Sequence, residues 1–134
     1  MRCPNDDRLL AGLTLLYMAA SLLHFAHNAE YLHDYPNLPA WLTRGEVYAA
    51  WVGLAAIGIA GFVIYRIGAP IIGLLLLGIY AALGFDGLLH YTRAPLAAHT
   101  GTMNFTIWFE FAAAAALLAL VLSLGISRTF RRQA

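Results

Sequence analysis

Four apolar runs, each long enough to cross a bilayer, alternate with short polar stretches along the chain. The first extends from about Leu9 to Ala29, the second from about Glu46 to Tyr65, the third from about Pro70 to His90 and the fourth from about Asn104 to Ser127. A hydrocarbon core about 30 Å thick takes roughly 20 helical residues. Backbone N–H and C=O groups at that depth find partners only within a helix or a closed barrel, so each run is predicted as a helix. Pro70 suits a first helical turn, where its missing N–H costs nothing. The connections are Tyr31–Gly45, with Pro36 and Pro39; the tight turn Arg66-Ile67-Gly68; and Tyr91–Met103, with Pro95 and Gly101. The whole chain, 1–134, therefore reads as one integral membrane domain of all-α class, a four-transmembrane-helix bundle.

Composition agrees with the pattern. Only 11% of residues are charged and 61% are hydrophobic, where soluble domains carry about 25% charge. With a mean hydropathy of +0.70, lipid has to cover the surface that charge cannot. Four spans leave no length for a soluble domain, and no basic cluster suits nucleic acid. Asp6 and Asp7 spoil a signal-type basic leader and no small-residue cleavage site follows, so the first run is expected to be retained. Cys3 is the single cysteine and can form no internal disulfide; a lipidation site and an ordinary terminal residue are both compatible with it.

Every basic residue is arginine. Arg2, Arg8, Arg66, Arg128, Arg131 and Arg132 fall on one side of the four spans, and only Arg44 and Arg93 on the other. The positive-inside rule then predicts cytoplasmic N- and C-termini, in a multi-pass protein of a bacterial-type inner (plasma) membrane. Tyr31, Tyr35, Trp41, Tyr48, Trp51, Tyr91 and Trp108 read as an interfacial belt on the opposite side. Small residues such as Ala49, Gly53, Gly73, Gly78, Gly84 and Gly87 suit close helix contacts.

The ionisable residues carry the functional signal. His24, His27, His33, His90 and His99, with Glu30, Asp34, Glu46, Asp86 and Glu110, gather at the end away from the arginine majority. Helical rise puts Asp86 about 6 Å below His90, and Glu110 about 9 Å below Asn104. Both carboxyls thus lie within the apolar layer, where an ionisable group faces a partner or a wet cavity. His24, His27 and Asn28 share a stripe on span one with Tyr17; Asp86 and His90 share a helical face on span three; Met103, Thr106 and Glu110 share one on span four. Turned inward, these faces predict a polar pocket, with Glu46 and Arg93 near its rim.

Imidazole and carboxylate are ligands for zinc, iron or manganese. The leading expectation is a metal-binding or metal-dependent membrane protein with His24, His27, Asp86 and His90 as metal ligands. Glu110 would be the catalytic base, a fifth ligand or a supporting partner. His33 and His99, in loops, read as solvated surface. Bis-histidine haem from His24 or His27 with His90 meets only the axial requirement, and the nearby acids argue against it. A plainer alternative has Glu110 pairing with His24, and Asp86 bonding Tyr80, Trp108 or Thr106, simply to join helices.

Pro39-Ala40-Trp41 followed by Glu46 resembles the start of the second helix of the sterol isomerase and sigma-two receptor domain, which also houses acids in a four-helix membrane bundle. That resemblance implies a metal-free site for a lipid-like or amine ligand, with Asp86 and Glu110 as polar contacts. The third alternative is a transport or assembly subunit; so small a chain would have to oligomerise to transport. Membrane lipids are the partners expected in every case.

Overall fold

A computed structural model describes the backbone of residues 4–131 and the side chains of residues 5–128. Arg2, Cys3, Arg132 and the Arg131 side chain, which entered the arginine count and the cysteine reading, lie outside the described residues. The described chain is helical, with no strand. Four long helices, α1 (Pro4–Glu30), α2 (Arg44–Arg66), α3 (Pro70–Leu83) and α5 (Gly101–Arg131), form the body. Between α3 and α5 lie a 3₁₀ turn at Asp86–Leu89, the one-turn helix α4 (His90–Arg93) and a second 3₁₀ turn at Leu96–Ala98. Four stretches, Asn5–Glu30, Arg44–Arg66, Pro70–Arg93 and Gly101–Arg128, are long and apolar enough to cross a membrane.

Local chemistry sets the helix ends. α1 starts before the predicted Leu9 because Asp6 and Asp7 occupy its first turn, where negative charge meets the positive end of the helix dipole. Thr43 and Glu46 form a reciprocal capping box at the start of α2: the Glu46 N–H donates to the Thr43 hydroxyl at 3.3 Å, and the Thr43 N–H to the Glu46 carboxylate at 2.8 Å. Glu46 therefore caps a helix and is not a rim residue of the pocket. The α2–α3 turn closes through Gly68 at φ +117°, a conformation that favours glycine, and Pro70 opens α3. α5 starts at Gly101, ahead of the predicted Asn104, because the Thr100 hydroxyl accepts from the Met103 N–H at 3.2 Å.

Each long helix packs on two neighbours, in the ring α1–α2–α3–α5. Large apolar residues such as Leu15, Val52 and Leu75 stand on the outside, the distribution expected where lipid is the solvent. Small residues let α2 and α3 approach closely: a Cβ on Gly58 would fall 2.7 Å from the Tyr80 ring, and one on Gly61 3.1 Å from Leu77 Cγ. At the arginine end the buried Tyr65 ties three helices, donating to Asp7 at 2.8 Å and accepting from Arg128 at 2.7 Å. Above this clamp Leu10, Leu74, Leu77, Leu117, Val121 and Leu124 fill the bundle centre.

Gly58→Leu is expected to destabilise the protein by about 1–3 kcal/mol through overpacking, whereas Gly53→Leu, whose Cβ meets nothing within 4 Å, stays within about 0.5 kcal/mol. Thermal unfolding in one detergent compares them directly.

Candidate functional site

The polar groups of the bundle interior gather at the end opposite the Tyr65 clamp, on α1, α5, α4 and the first long loop. His24, Thr106 and Glu110 are almost completely buried. The Thr106 hydroxyl donates to the Met103 carbonyl at 3.0 Å, so it has an acceptor lone pair, and no proton, to offer His24 Nδ1 at 3.3 Å. That bond assigns the proton to Nδ1 and leaves Nε2, in the neutral ring, as an acceptor. Nε2 faces Glu110 Oε2 at 3.7 Å. Neither carboxyl oxygen has a hydrogen-bond partner among the described residues. Imidazole and carboxyl thus compete for one proton, held either as an acid beside a base or as an ion pair.

A break in the third span makes room for this pair. α3 stops at Leu83, and the following 3₁₀ turn brings the Gly87 backbone against the carboxyl; a Cβ there would lie 3.2 Å from Glu110 Oε2. Gly84 admits the Tyr17 phenol in the same way, its missing Cβ lying 2.6 Å from the Tyr17 hydroxyl. Tyr17 and Tyr80 pack with ring centroids 4.4 Å apart, and both buried hydroxyls lack a partner among the described residues.

Towards the bundle end, the His90 ring lies 5.4 Å from that of His24 and 4.9 Å from that of Tyr35. The Asn28 amide donates to His90 Nε2 at 3.2 Å, which puts the ring proton on Nδ1, a buried donor without a partner among the described residues. Tyr35 descends from the first loop and is buried, with its hydroxyl 2.9 Å from His27 Nδ1. Burial pushes the Tyr35 phenol up to about 12, and the Thr106 hydroxyl beside it pulls the other way. The phenol therefore stays protonated at ordinary pH and donates to His27. Asn37, at φ +58°, donates to the Arg93 carbonyl at 2.8 Å, and Arg93 returns a bond to the Asn37 carbonyl at 3.4 Å. That exchange ties the loop bearing Tyr35 to the segment bearing His90.

Of the residues predicted to share a pocket, the structure brings together His24, His90 and Glu110, with His27 half-buried at the edge through Tyr35. Asp86 stands at the edge of this group: the residue reaches the surface of the bundle, yet its charge still acts on Glu110 and Tyr17. The expectation placed Asp86 and His90 on one face of an α-helix, about 40° apart. The 3₁₀ turn advances about 120° per residue, so four residues separate them by roughly a third of a turn. His90 goes in and Asp86 out. Among the described residues, no group of three or more His, Cys, Asp or Glu side chains is placed to hold a metal ion. The proposed ligands His24, His27, Asp86 and His90 are thus not assembled as one set.

Other expectations also change. His99, read as solvated, is buried, its Nδ1 3.1 Å from the Pro95 carbonyl and its ring 5.3 Å from that of Tyr91. Tyr35, assigned to an interfacial belt, reaches the interior, and nothing in a proline-containing loop signals that. Gly87 was read only as a packing glycine. The capping box at Thr43 and Glu46 was visible as a Thr-x-x-Glu pattern before an apolar run.

Tyr35→Phe and His27→Ala are each expected to cost about 1 kcal/mol of stability. If the two groups serve one bond, the double variant costs less than the sum; strict additivity in a double-mutant cycle would show that they act separately.

Compared with protein families, with curated proteins and with solved structures, the chain matches none. The likeness of Pro39-Ala40-Trp41 and Glu46 to a sterol isomerase domain therefore stands on those residues alone.

Proposed function

We propose that this is a multi-pass membrane protein performing metal-independent acid–base work on a lipid-like molecule, with Glu110 as the proton-transferring group. His24 sets the position and charge of that carboxyl, and Thr106 fixes the imidazole tautomer. The arginine end lies in the cytoplasm of a bacterial-type inner membrane. The reading rests on one observation: His24 Nε2 and Glu110 Oε2 face each other at 3.7 Å in full burial, and both carboxyl oxygens lack other partners among the described residues. Ionisable groups at membrane depth mark proton or substrate sites more often than they join helices. A general acid or base needs a single movable proton and a fixed orientation. The Thr106–His24–Glu110 arrangement supplies both.

Access supports the same reading. The polar groups continue through His90 and Tyr35 towards the histidine end. In the opposite direction the apolar core closes the bundle, and the Thr14 hydroxyl bonds back to the Leu10 carbonyl at 2.7 Å. Polar groups confined to one end suit chemistry on a bound molecule better than passage across the membrane. The metal alternative has no group of three or more candidate ligands placed together among the described residues, and His27 is engaged by Tyr35.

Infrared difference spectroscopy on reconstituted protein tests the proton site. A carboxyl band that responds to pH is expected in the wild type, lost in Glu110→Gln and displaced in His24→Ala. A wild-type spectrum with the same carboxyl bands as Glu110→Gln at every pH would sink the proposal. Metal analysis gives a separate check. Protein purified without added metal is expected to hold no stoichiometric zinc, iron or manganese, and a chelator should leave its melting temperature unchanged; stoichiometric metal lost together with His90→Ala would restore the metal reading.

A further inference from the structure

The outer surface of the bundle carries an apolar groove of about 680 Å³ between α3 and α5, a volume in the usual range for ligand sites. It runs along α3 from Ala82 to Ile71, about 16 Å by helical rise. Gly78 and Gly125 line it from the two helices. Elsewhere in the bundle a glycine admits a neighbouring side chain, as Gly58 does for Tyr80 and Gly84 for Tyr17. Here a Cβ on Gly125 would meet nothing within 4 Å, and one on Gly78 only Val121 Cγ1, at an ordinary 3.6 Å. Helix–helix packing does not require either residue to be glycine, so the space they leave is open to whatever surrounds the protein.

The groove's own lining is apolar, and two arginines lie close in sequence to one of its ends. Ile71 lies just past the α2–α3 turn that carries the exposed Arg66, and Gly125 lies one turn before Arg128. Arg128 uses one nitrogen on the Tyr65 hydroxyl, and a guanidinium has further N–H donors to offer. The nearby Asp7 carboxylate accepts from that same tyrosine. Basic groups at the cytoplasmic end of transmembrane helices attract anionic lipid head groups.

We propose that this groove seats one acyl chain of an anionic phospholipid, whose phosphate is drawn to the arginine end by Arg66 and Arg128. The site is separate from the His24–Glu110 pair, and neither reading depends on the other. The occupant follows from the two parts of the surface: an elongated apolar channel demands a hydrocarbon chain, and the basic end selects a negatively charged head.

Native mass spectrometry of the protein released from bilayers of equal phosphatidylglycerol and phosphatidylcholine tests it. The wild type is expected to retain one phosphatidylglycerol in preference to phosphatidylcholine. Gly78→Leu with Gly125→Leu fills the groove and should abolish retention while leaving the melting temperature in lipid-free detergent unchanged. Arg66→Gln should lower the head-group preference about fivefold. Equal retention by the filled variant, or no head-group preference in the wild type, would overturn the proposal. So would a wild-type dimer that the filled variant dissolves, because the groove would then belong to a second copy. Should the filled variant fail to fold, Arg66→Gln decides alone: an unchanged preference refutes the site.

Discussion

The interior of this bundle is organised around one group: the fully buried carboxyl of Glu110, which needs a polar neighbour inside the protein. Its nearest imidazole, His24 Nε2, faces it at 3.7 Å, beyond hydrogen-bond distance, and much of the histidine end surrounds that meeting. Thr106, one turn before Glu110 on α5, fixes the imidazole tautomer from the other side of the ring. Gly87 has no side chain to intrude on the carboxyl. The 3₁₀ turn that carries Gly87 also redirects the chain, so that His90 closes over His24.

The two ends of the bundle are held differently. At the arginine end, Tyr65 joins α1, α2 and α5 through Asp7 and Arg128, directly between helices. At the histidine end the ties pass through loops: Tyr35 to His27, and the exchange between Asn37 and Arg93. Surface ion pairs such as Arg44 with Glu30, 2.7 Å apart and both well exposed, add little to either. Local opening concentrates where packing is carried by loops, and that is where the polar groups lie.

The architecture was legible because burying backbone in hydrocarbon leaves so few solutions: run lengths and hydropathy were enough to place four helices. In the sequence, depth pairs Asp86 with Glu110, and contact between Glu110 and His24 enters there only as the helix-joining alternative. Asp86 and His90 do not share the face that α-helical periodicity gives them, because the chain tightens into a 3₁₀ turn at Asp86–Leu89, although the charge of Asp86 still acts on Glu110. Tyr35 and His99 were misplaced because loop folding depends on tertiary contacts that no periodicity encodes. Their burial rests on Asn37 adopting φ +58° and on the ring of His99 turning back to Pro95. The metal expectation finds no assembled donor set among the described residues, since a ligand set is only as good as the rotations assumed for it.

The apolar plug of Leu10, Leu74, Leu77, Leu117, Val121 and Leu124 has an electrical consequence. A charge carried fully across a membrane gains or loses about 2.3 kcal/mol per 100 mV. Under the proposed function, a proton that reached Glu110 from the histidine end and left by the same route would cross only a fraction of that drop and return it on departure. Voltage therefore does no net work over a cycle. On that reading it would tilt instead the occupancy of the site, and the resting potential of the host membrane would become one of the quantities that set how often the carboxyl is charged.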